Sequence, residues 1–304
     1  MKVMITGGLG HIGSHVIQSL PENFEIVVVD NLSTQRFCSL FNRKRKIHFL
    51  DKDIGDIKVS SLKDIDAVVH LAAITNSVES FKNKDAMENV NVIKTEQFIN
   101  TCKKAKISKF LFPSSASVYG INAPFVYEDD DEYINPQSPY AEAKIKVEKT
   151  IKNMMGKDTK FAILRFGTIF GISSGMRFHT AINKFCYQIA TNKPLTVWKQ
   201  NYKQTRPYLG INDAVNSINF FLESGADVWN NTYNVLTANY SLCDIIEMMI
   251  DIDKNAVIEF IDTPLINQYS YHVSDEKIKK LGFVTSDDML RSIKQTLHLL
   301  GHDC

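Results

Sequence analysis

Met4-Ile5-Thr6-Gly7-Gly8-Leu9-Gly10-His11-Ile12-Gly13 decides the fold. A short apolar strand pattern, Val3 to Ile5, turns through glycines into a helical pattern, His11 to Leu20. A parallel strand that turns tightly into a helix aims the free N–H groups of the helix at whatever lies above the strand. That end favours a phosphate or diphosphate. Gly7 allows the tight turn, Gly10 lets the chain approach the ligand, and Gly13 lets helix and strand pack closely. The spacing Gly-x-x-Gly-x-x-Gly differs from the usual Gly-x-Gly-x-x-Gly, and permissive glycines alone would equally suit an ordinary strand–turn–helix connection. The next strand pattern, Glu25 to Asp30, favours the nucleotide, because it ends on an acid. An acid there suits the ribose 2′-OH of an adenine nucleotide and repels a 2′-phosphate, which points to NAD rather than NADP. Arg36 is the one nearby cation that could reverse this.

Strand and helix patterns alternate onward from this loop. Ile47 to Leu50, Ala67 to Ala72, Phe110 to Pro113 and Phe161 to Phe166 read as strands. Val78 to Lys104 reads as one long helix, and Pro139 to Met155 as another. This βαβ alternation predicts an α/β fold, a Rossmann-type doubly wound parallel sheet with ligands at the carboxyl ends of its strands. After Phe166 the pattern loosens. Helices are expected at Met176 to Thr191, Ile211 to Ser224, Ser241 to Ile250, Ser274 to Leu281 and Ser286 to Leu300, with strands at Leu195 to Trp198, Thr232 to Val235 and Val257 to Phe260. The expected division is an NAD-binding domain over residues 1–167, to which 206–235 returns, and a smaller substrate-binding cap over 168–205 and 236–304.

The chain has 304 residues, 44% of them hydrophobic and 23% charged, which is ample for a large core. A formal net charge of +1 gives no reason to expect nucleic acid or an acidic membrane as partner. The basic run Arg43-Lys44-Arg45-Lys46 reads as a solvated lead into the next strand, and the acidic run Glu128 to Glu132 as an exposed loop. Cys38, Cys102, Cys186, Cys243 and Cys304 are scattered, without metal-ligand spacing or a disulfide framework, so no metal is expected. No signal-peptide pattern opens the sequence and no apolar run is long enough to span a bilayer, so a cytoplasmic location is expected.

The chemistry is carried by Ser138-Pro139-Tyr140-Ala141-Glu142-Ala143-Lys144. Ser138 suits an N-cap and Pro139 the first helical position. Tyr140 and Lys144 then stack one turn apart on one helix face. An ammonium held near a phenol favours the phenolate, so the pair suggests a tyrosine poised for proton transfer near neutral pH. Alone, such a pair occurs by chance in many helices. Phe112-Pro113-Ser114-Ser115-Ala116-Ser117-Val118-Tyr119-Gly120 adds hydroxyls at the carboxyl end of a strand, where they could meet Tyr140.

With these pieces in place, the sequence resembles an extended short-chain dehydrogenase/reductase of the NAD-dependent epimerase/dehydratase family, which acts on nucleotide sugars. The matching pieces, in the family's order, are Thr6 to Gly13, Asp30 to Ser33, Asp53-Ile54, His70 to Ala73, Asn91-Val92, Ser114 to Gly120, Tyr140 to Lys144, and Leu164 to Gly171. The resemblance implies that Tyr140 is the general acid/base, that Lys144 holds the nicotinamide ribose and tunes Tyr140, and that Ser115 binds the reacting oxygen. It implies that Gly7, Gly10, Ile12 and Gly13 bind the NAD diphosphate with His11 covering it. Asp30 and Asn31 would hold the adenosine ribose, Asp53 and Ile54 the adenine, and Leu71, Ala72 and Ala73 would line the cofactor. Arg206 matches the family arginine for the sugar-nucleotide diphosphate.

Three departures bear on substrate. Family dehydratases carry an acidic pair after the active-site hydroxyl; here Ala116 and Ser117 stand there, so elimination of water is not expected. Thr168 replaces the family's asparagine after the Leu-Arg strand. The second family arginine is missing, with Asn267 and Gln268 in that neighbourhood. Arg177 is either its replacement or a surface cation on an amphipathic helix. The implied reaction is 4-epimerisation of a nucleotide-diphosphate sugar bound through Ser115, Ser117, Thr168, Arg177 and Arg206. A net 4-dehydrogenase shares the first step, and a non-catalytic NAD-binding sensor is the reading from another class. Apolar positions on more than one face of the two long helices, Phe81, Phe98, Ile145, Val147 and Ile151 among them, suggest a homodimer built by packing them together, unless both faces are covered within one chain.

Overall fold

Val3, Met4 and Ile5 are all fully buried, so both faces of the first strand are covered. Such strands belong to parallel sheets with helices on each side. The computed structural model describes every residue except 42–44, 77–78, 121–124, 263–269 and 303–304. Its first half runs β1 (Lys2–Thr6), α1 (His11–Ser19), β2 (Glu25–Asp30), β3 (His48–Asp51), β4 (Ala67–His70), α2 (Lys84–Glu88), α3 (Thr95–Lys104), β5 (Lys109–Ser115), α4 (Pro139–Met154) and β6 (Lys160–Phe166). It continues through β7 (Thr168–Phe170), α5 (Ala181–Ala190), β8 (Leu195–Trp198), β9 (Thr205–Gly210), α6 (Ile211–Glu223) and β10 (Asn231–Val235). Last come β11 (Ala238–Ser241), α7 (Leu242–Ile252), β12 (Ile258–Ile261), α8 (Glu276–Lys279) and α9 (Met289–Leu299).

The large sheet has the order β10-β6-β5-β4-β1-β2-β3, and every neighbouring pair is parallel. Strand residues alternate between faces. Val3, Ile5, Val28, Leu111 and Leu164 pack in one core with Val16 of α1 and Ile218 of α6. Met4, Val29, Phe110, Phe112 and Ile163 pack in the other with Phe98 of α3 and Val147 of α4. Strand order reverses between β1 and β4, which opens a crevice above their carboxyl ends.

The remaining strands form a three-stranded sheet, β11-β9-β7, and a two-stranded one, β12-β8. Phe185 of α5, Ile246 of α7 and Ile293 of α9 share a third core there. Within residues 206–235, α6 packs on the large sheet through Ile218 and Phe221. β9 is held between β7 and β11 by its own ladders, whereas β10 closes the large sheet beside β6.

Differences from the sequence reading follow contacts made outside each segment. The expected helix up to Lys104 is broken into a 3-10 turn at Glu79–Phe81, α2, a π-helical stretch at Asn89–Lys94 and α3; position 78 lies outside the described residues. The wider turn puts Asn91 against the chain after β4, where its amide pairs with both Ile74 N–H and Ile74 C=O at 2.8 Å. The helix expected from Met176 starts only at Ala181, because the preceding residues cross over the glycine loop instead. That expected at Ser274 to Leu281 shrinks to α8. Phe98, Val147 and Ile151, cited above for a dimer face, are buried in this chain's own core, and Phe81 and Ile145 are half-buried. Among the described residues no helix is long and apolar enough to cross a membrane, and no cluster could hold a metal ion.

Candidate active site

Ser138 caps α4, its hydroxyl accepting from the Ala141 N–H at 3.2 Å, and Pro139 opens the first turn. This fixes the helix start, so Tyr140 and Lys144 face the end of β5. There the Ser115 and Ser117 hydroxyls lie 2.9 Å apart. Ser115, Ser117, Tyr140 and Lys144 share the wall of one cavity of about 400 Å³ with the glycine loop.

The electrostatics differ from the expected tyrosine–lysine coupling. Burial pushes the Tyr140 phenol up, while Arg177 and then the Ser115 hydroxyl pull it back. Lys144 lies 5.8 Å from the Tyr140 ring centroid and donates instead to the Pro113 carbonyl at 2.8 Å, above the Phe112 ring. Burial lowers its own pKa to about 8, opposed by Glu148. In this form the cation acting on the phenol is Arg177, and Lys144 braces the end of β5.

Gly7 sits at φ +64° in the turn after β1. A Cβ on Gly13 would lie 2.6 Å from the Gly8 Cα, so only glycine allows this approach of helix to loop. No side chain caps the N-terminus of α1, and His11, Ile12 and Gly13 line the cavity there. His11 is buried, and burial holds its pKa near 3. Its neutral ring therefore donates from Nε2 to the Gly171 carbonyl, at 3.1 Å. Leu71 and Ala73 line the same cavity, whereas Ala72, Asp30, Asn31, Asp53 and Ile54 do not. Ala72 donates its N–H to Thr6 Oγ1. The Asp30 carboxylate accepts from the Leu9 and Leu32 N–H groups, each at 3.0 Å. Burial pushes the Asp53 carboxyl up, but Lys94, the Gly55 N–H and the Asn31 amide together hold it below its ordinary value.

The far wall of the cavity carries Thr168, Arg177 and Arg206. Arg206 donates to Gln204 Oε1 at 3.2 Å and lies 5.7 Å from the Tyr271 ring. Arg177 is half-buried rather than a surface cation, and it donates to Thr75 Oγ1. Asn267 and Gln268 lie outside the described residues. Among the described lining residues there is no aspartate or glutamate, while His11, Lys144, Arg177, His179, Lys184 and Arg206 are all present. The cavity is shaped for anionic ligands.

A sequence model of the NAD dependent epimerase/dehydratase family matches residues 3–235. The chain belongs to that family. It is 29% identical to UDP-glucose 4-epimerase of Haemophilus influenzae, with 81% of each chain covered. It is 26% identical to dTDP-D-glucose 4,6-dehydratase of Dictyostelium discoideum, over 97% of this chain and 80% of that one. The crystal structure of UDP-glucuronic acid 4-epimerase from Bacillus cereus, in complex with UDP-glucuronic acid and NAD, superposes with a TM-score of 0.89 at 27% identity, covering 99% of each chain. Like other members of the epimerase/dehydratase family, this is an NAD-dependent enzyme. Its residues fit that cofactor: an uncapped helix N-terminus at the cavity wall, a glycine at position 13 that lets the helix close on the loop, and an acid at the end of β2.

Several residues in or behind this epimerase/dehydratase site were given no role in the sequence reading. Tyr271 donates to the Ala116 carbonyl at 3.2 Å and lines the cavity. Glu148 lies one turn beyond Lys144, a spacing that could have been read as a continuation of the same face. His70 ends β4 and is buried against Phe98, Phe110 and Phe112, with its two nitrogens 2.8 Å from Thr6 Oγ1 and 3.2 Å from Thr95 Oγ1. Burial, reinforced by Lys144, lowers its pKa from 6.5 to about 3. The unfolded chain therefore binds a proton below pH 6.5 that the native protein refuses, and stability falls as pH drops through this window. At pH 5 the expected loss from His70 alone is roughly 2 kcal/mol. His70→Asn should flatten the dependence of urea-unfolding free energy on pH between 7 and 5. An unchanged slope would show that His70 is charged in the native state.

Proposed function

We propose that this enzyme is a nucleotide-sugar 4-epimerase. The observation that carries the proposal is the cavity lining: paired hydroxyls of Ser115 and Tyr140 beside the glycine loop, basic groups around them, and no carboxylate among the described lining residues. A dehydratase needs an acid and a base to remove water from the sugar, and family dehydratases use acidic residues at the positions of Ala116 and Ser117. An epimerase needs only one group that takes and returns a single proton.

In the proposed reaction the sugar binds with its 4-hydroxyl between Ser115 and Tyr140. Tyr140 removes the hydroxyl proton while Ser115 holds the oxygen in place. NAD, when bound, would supply the reversible hydride acceptor for C4. The 4-keto sugar turns over within the cavity, and Tyr140 gives the proton back on the same oxygen. Thr168 and Ser117 face the sugar, and Arg206 pairs with the nucleotide diphosphate. Asp30 and Asn31 hold the adenosine ribose of the cofactor, with Asp53 and Ile54 beside the adenine.

The test is a panel of UDP-, GDP-, dTDP- and CDP-hexoses deuterated at C4. The expected product is the C4-inverted sugar with deuterium still at C4 and no accumulation of NADH. Stoichiometric NADH would make the enzyme a 4-dehydrogenase. A product lighter by one water would make it a dehydratase, and no turnover of any sugar would favour an NAD-binding sensor.

A further inference from the structure

Residues 171–178 do not fold as helix but run across the glycine loop; Asn183 of α5 pairs with Gly171 and with the Arg177 carbonyl, and three further hydrogen bonds tie the strap to the dinucleotide side of the cavity. His11 donates to the Gly171 carbonyl at 3.1 Å, the Gly175 N–H donates to Ser14 Oγ at 2.9 Å, and Arg36 donates to the Gly175 carbonyl at 2.8 Å. A Cβ on Gly175 would lie 2.4 Å from the Gly10 carbonyl oxygen, so the strap rests directly on the turn that precedes α1. Arg36, the nearby cation weighed above against a preference for NAD, is committed to this contact.

The strap carries Arg177 inward. Among the described residues no carboxylate pairs with it; its charged neighbours are Arg36, His11, His179 and the Tyr140 phenol. Burial and Arg36 lower its pKa to about 10. Asp30 faces Arg36 but no carboxylate acts on Arg177, so the inner guanidinium, beside an uncapped helix N-terminus, forms a site for a multiply charged anion. Arg206 stands apart from this group, beside Gln204 and Tyr271 on β9 and its neighbours. The cavity thus has two separate cationic stations for two diphosphates.

We propose that the 171–178 strap is a cofactor clamp: Arg177 pairs with the dinucleotide diphosphate lying on the glycine loop, and the His11, Ser14 and Arg36 contacts latch the strap over it. This removes Arg177 from the sugar-binding set. Release of NAD(H) then requires the strap to lift. The inference depends on the cofactor and not on the epimerase reading.

The experiment measures how fast bound NAD leaves the purified enzyme when it is chased with excess 1,N6-etheno-NAD and followed by fluorescence. Arg177→Met should release NAD roughly tenfold faster or more, the factor expected for one lost charge-assisted hydrogen bond. Arg177→Lys should restore part of the retention, and Ser14→Ala, which unlatches the strap without touching the charge, should also speed release. Added salt should accelerate release from the parent enzyme more than from Arg177→Met. Unchanged release in both Arg177→Met and Ser14→Ala overturns the proposal. So does unchanged release with weakened binding of UDP to the NAD-loaded Arg177→Met enzyme, which would return Arg177 to the sugar-nucleotide site.

Discussion

Tyr140→Phe is expected to lower turnover by roughly a hundred- to ten-thousand-fold, the usual contribution of one acid/base group, while NAD remains bound. The phenol oxygen lies against Ser115 at the end of β5, and its ring is set by a capped helix start. Removing one oxygen therefore leaves packing and fold in place. It removes the only proposed group that can accept the 4-hydroxyl proton, because no carboxylate is among the described lining residues. The neighbouring histidines are poor substitutes: burial holds His11 near 3, and His179 is lowered to about 4 by burial with Arg177 and Arg36. The measurement is the rate at which the C4-inverted sugar forms from excess nucleotide sugar, beside bound NAD from the denatured protein. Turnover within tenfold of the parent enzyme would remove Tyr140 as the proton carrier. Loss of NAD together with activity would make its role one of cofactor binding.

Burial raises the Tyr140 pKa in the protein alone, so ionisation depends on the cations that approach it. Arg177 is first among these, and it belongs to the strap. A pH–rate profile of Arg177→Met should then show its acid-side limb moved to higher pH, since a cation that favours the phenolate has been removed.

What could be read from the sequence was local. The glycine loop, the acid at the end of β2 and the Ser138-capped helix are each contiguous in the chain, and their residues depend on neighbours within one or two turns. Their gathering at one crevice followed from βαβ handedness alone. What could not be read depends on distant contacts. The Met176 segment has an acceptable helical pattern, yet hydrogen bonds to Ser14 and Arg36, from far earlier in the chain, take it across the loop. Asn91 widens its helix for the sake of Ile74. The pull of Arg177 on Tyr140 joins a strap to a helix that β6 and β7 separate in sequence, so the i,i+4 lysine drew attention that geometry gives to the arginine.

The second large effect is expected behind the site. Glu148, one turn past Lys144 on α4, is 2% exposed and pairs with Arg165 of β6, also 2% exposed, at 2.7 Å. It also accepts from the Ser114 hydroxyl. Arg165 in turn donates to the Tyr119 hydroxyl at 2.7 Å and to the Glu128 carbonyl at 3.1 Å, so the pair ties α4, β5, β6 and the chain after β5 together. Two buried ions do not by themselves make a protein more stable than apolar residues would, but removing one leaves the other stranded. Glu148→Ala should therefore cost about 3–5 kcal/mol of unfolding free energy, read by urea titration, and Glu148→Leu combined with Arg165→Met should be less damaging than either change alone. A Glu148→Ala variant within about 1 kcal/mol of the parent would mean that water reaches Arg165. The same change has a second consequence at Lys144. Glu148 is the group opposing the burial that lowers Lys144 to about 8, so neutralising it lets that pKa fall further. In Glu148→Gln, which keeps the volume and the acceptor for Ser114, Lys144 should lose its charge at lower pH than in the parent. If Lys144 binds the nicotinamide ribose as its position suggests, the alkaline weakening of NAD affinity should move down in pH with it.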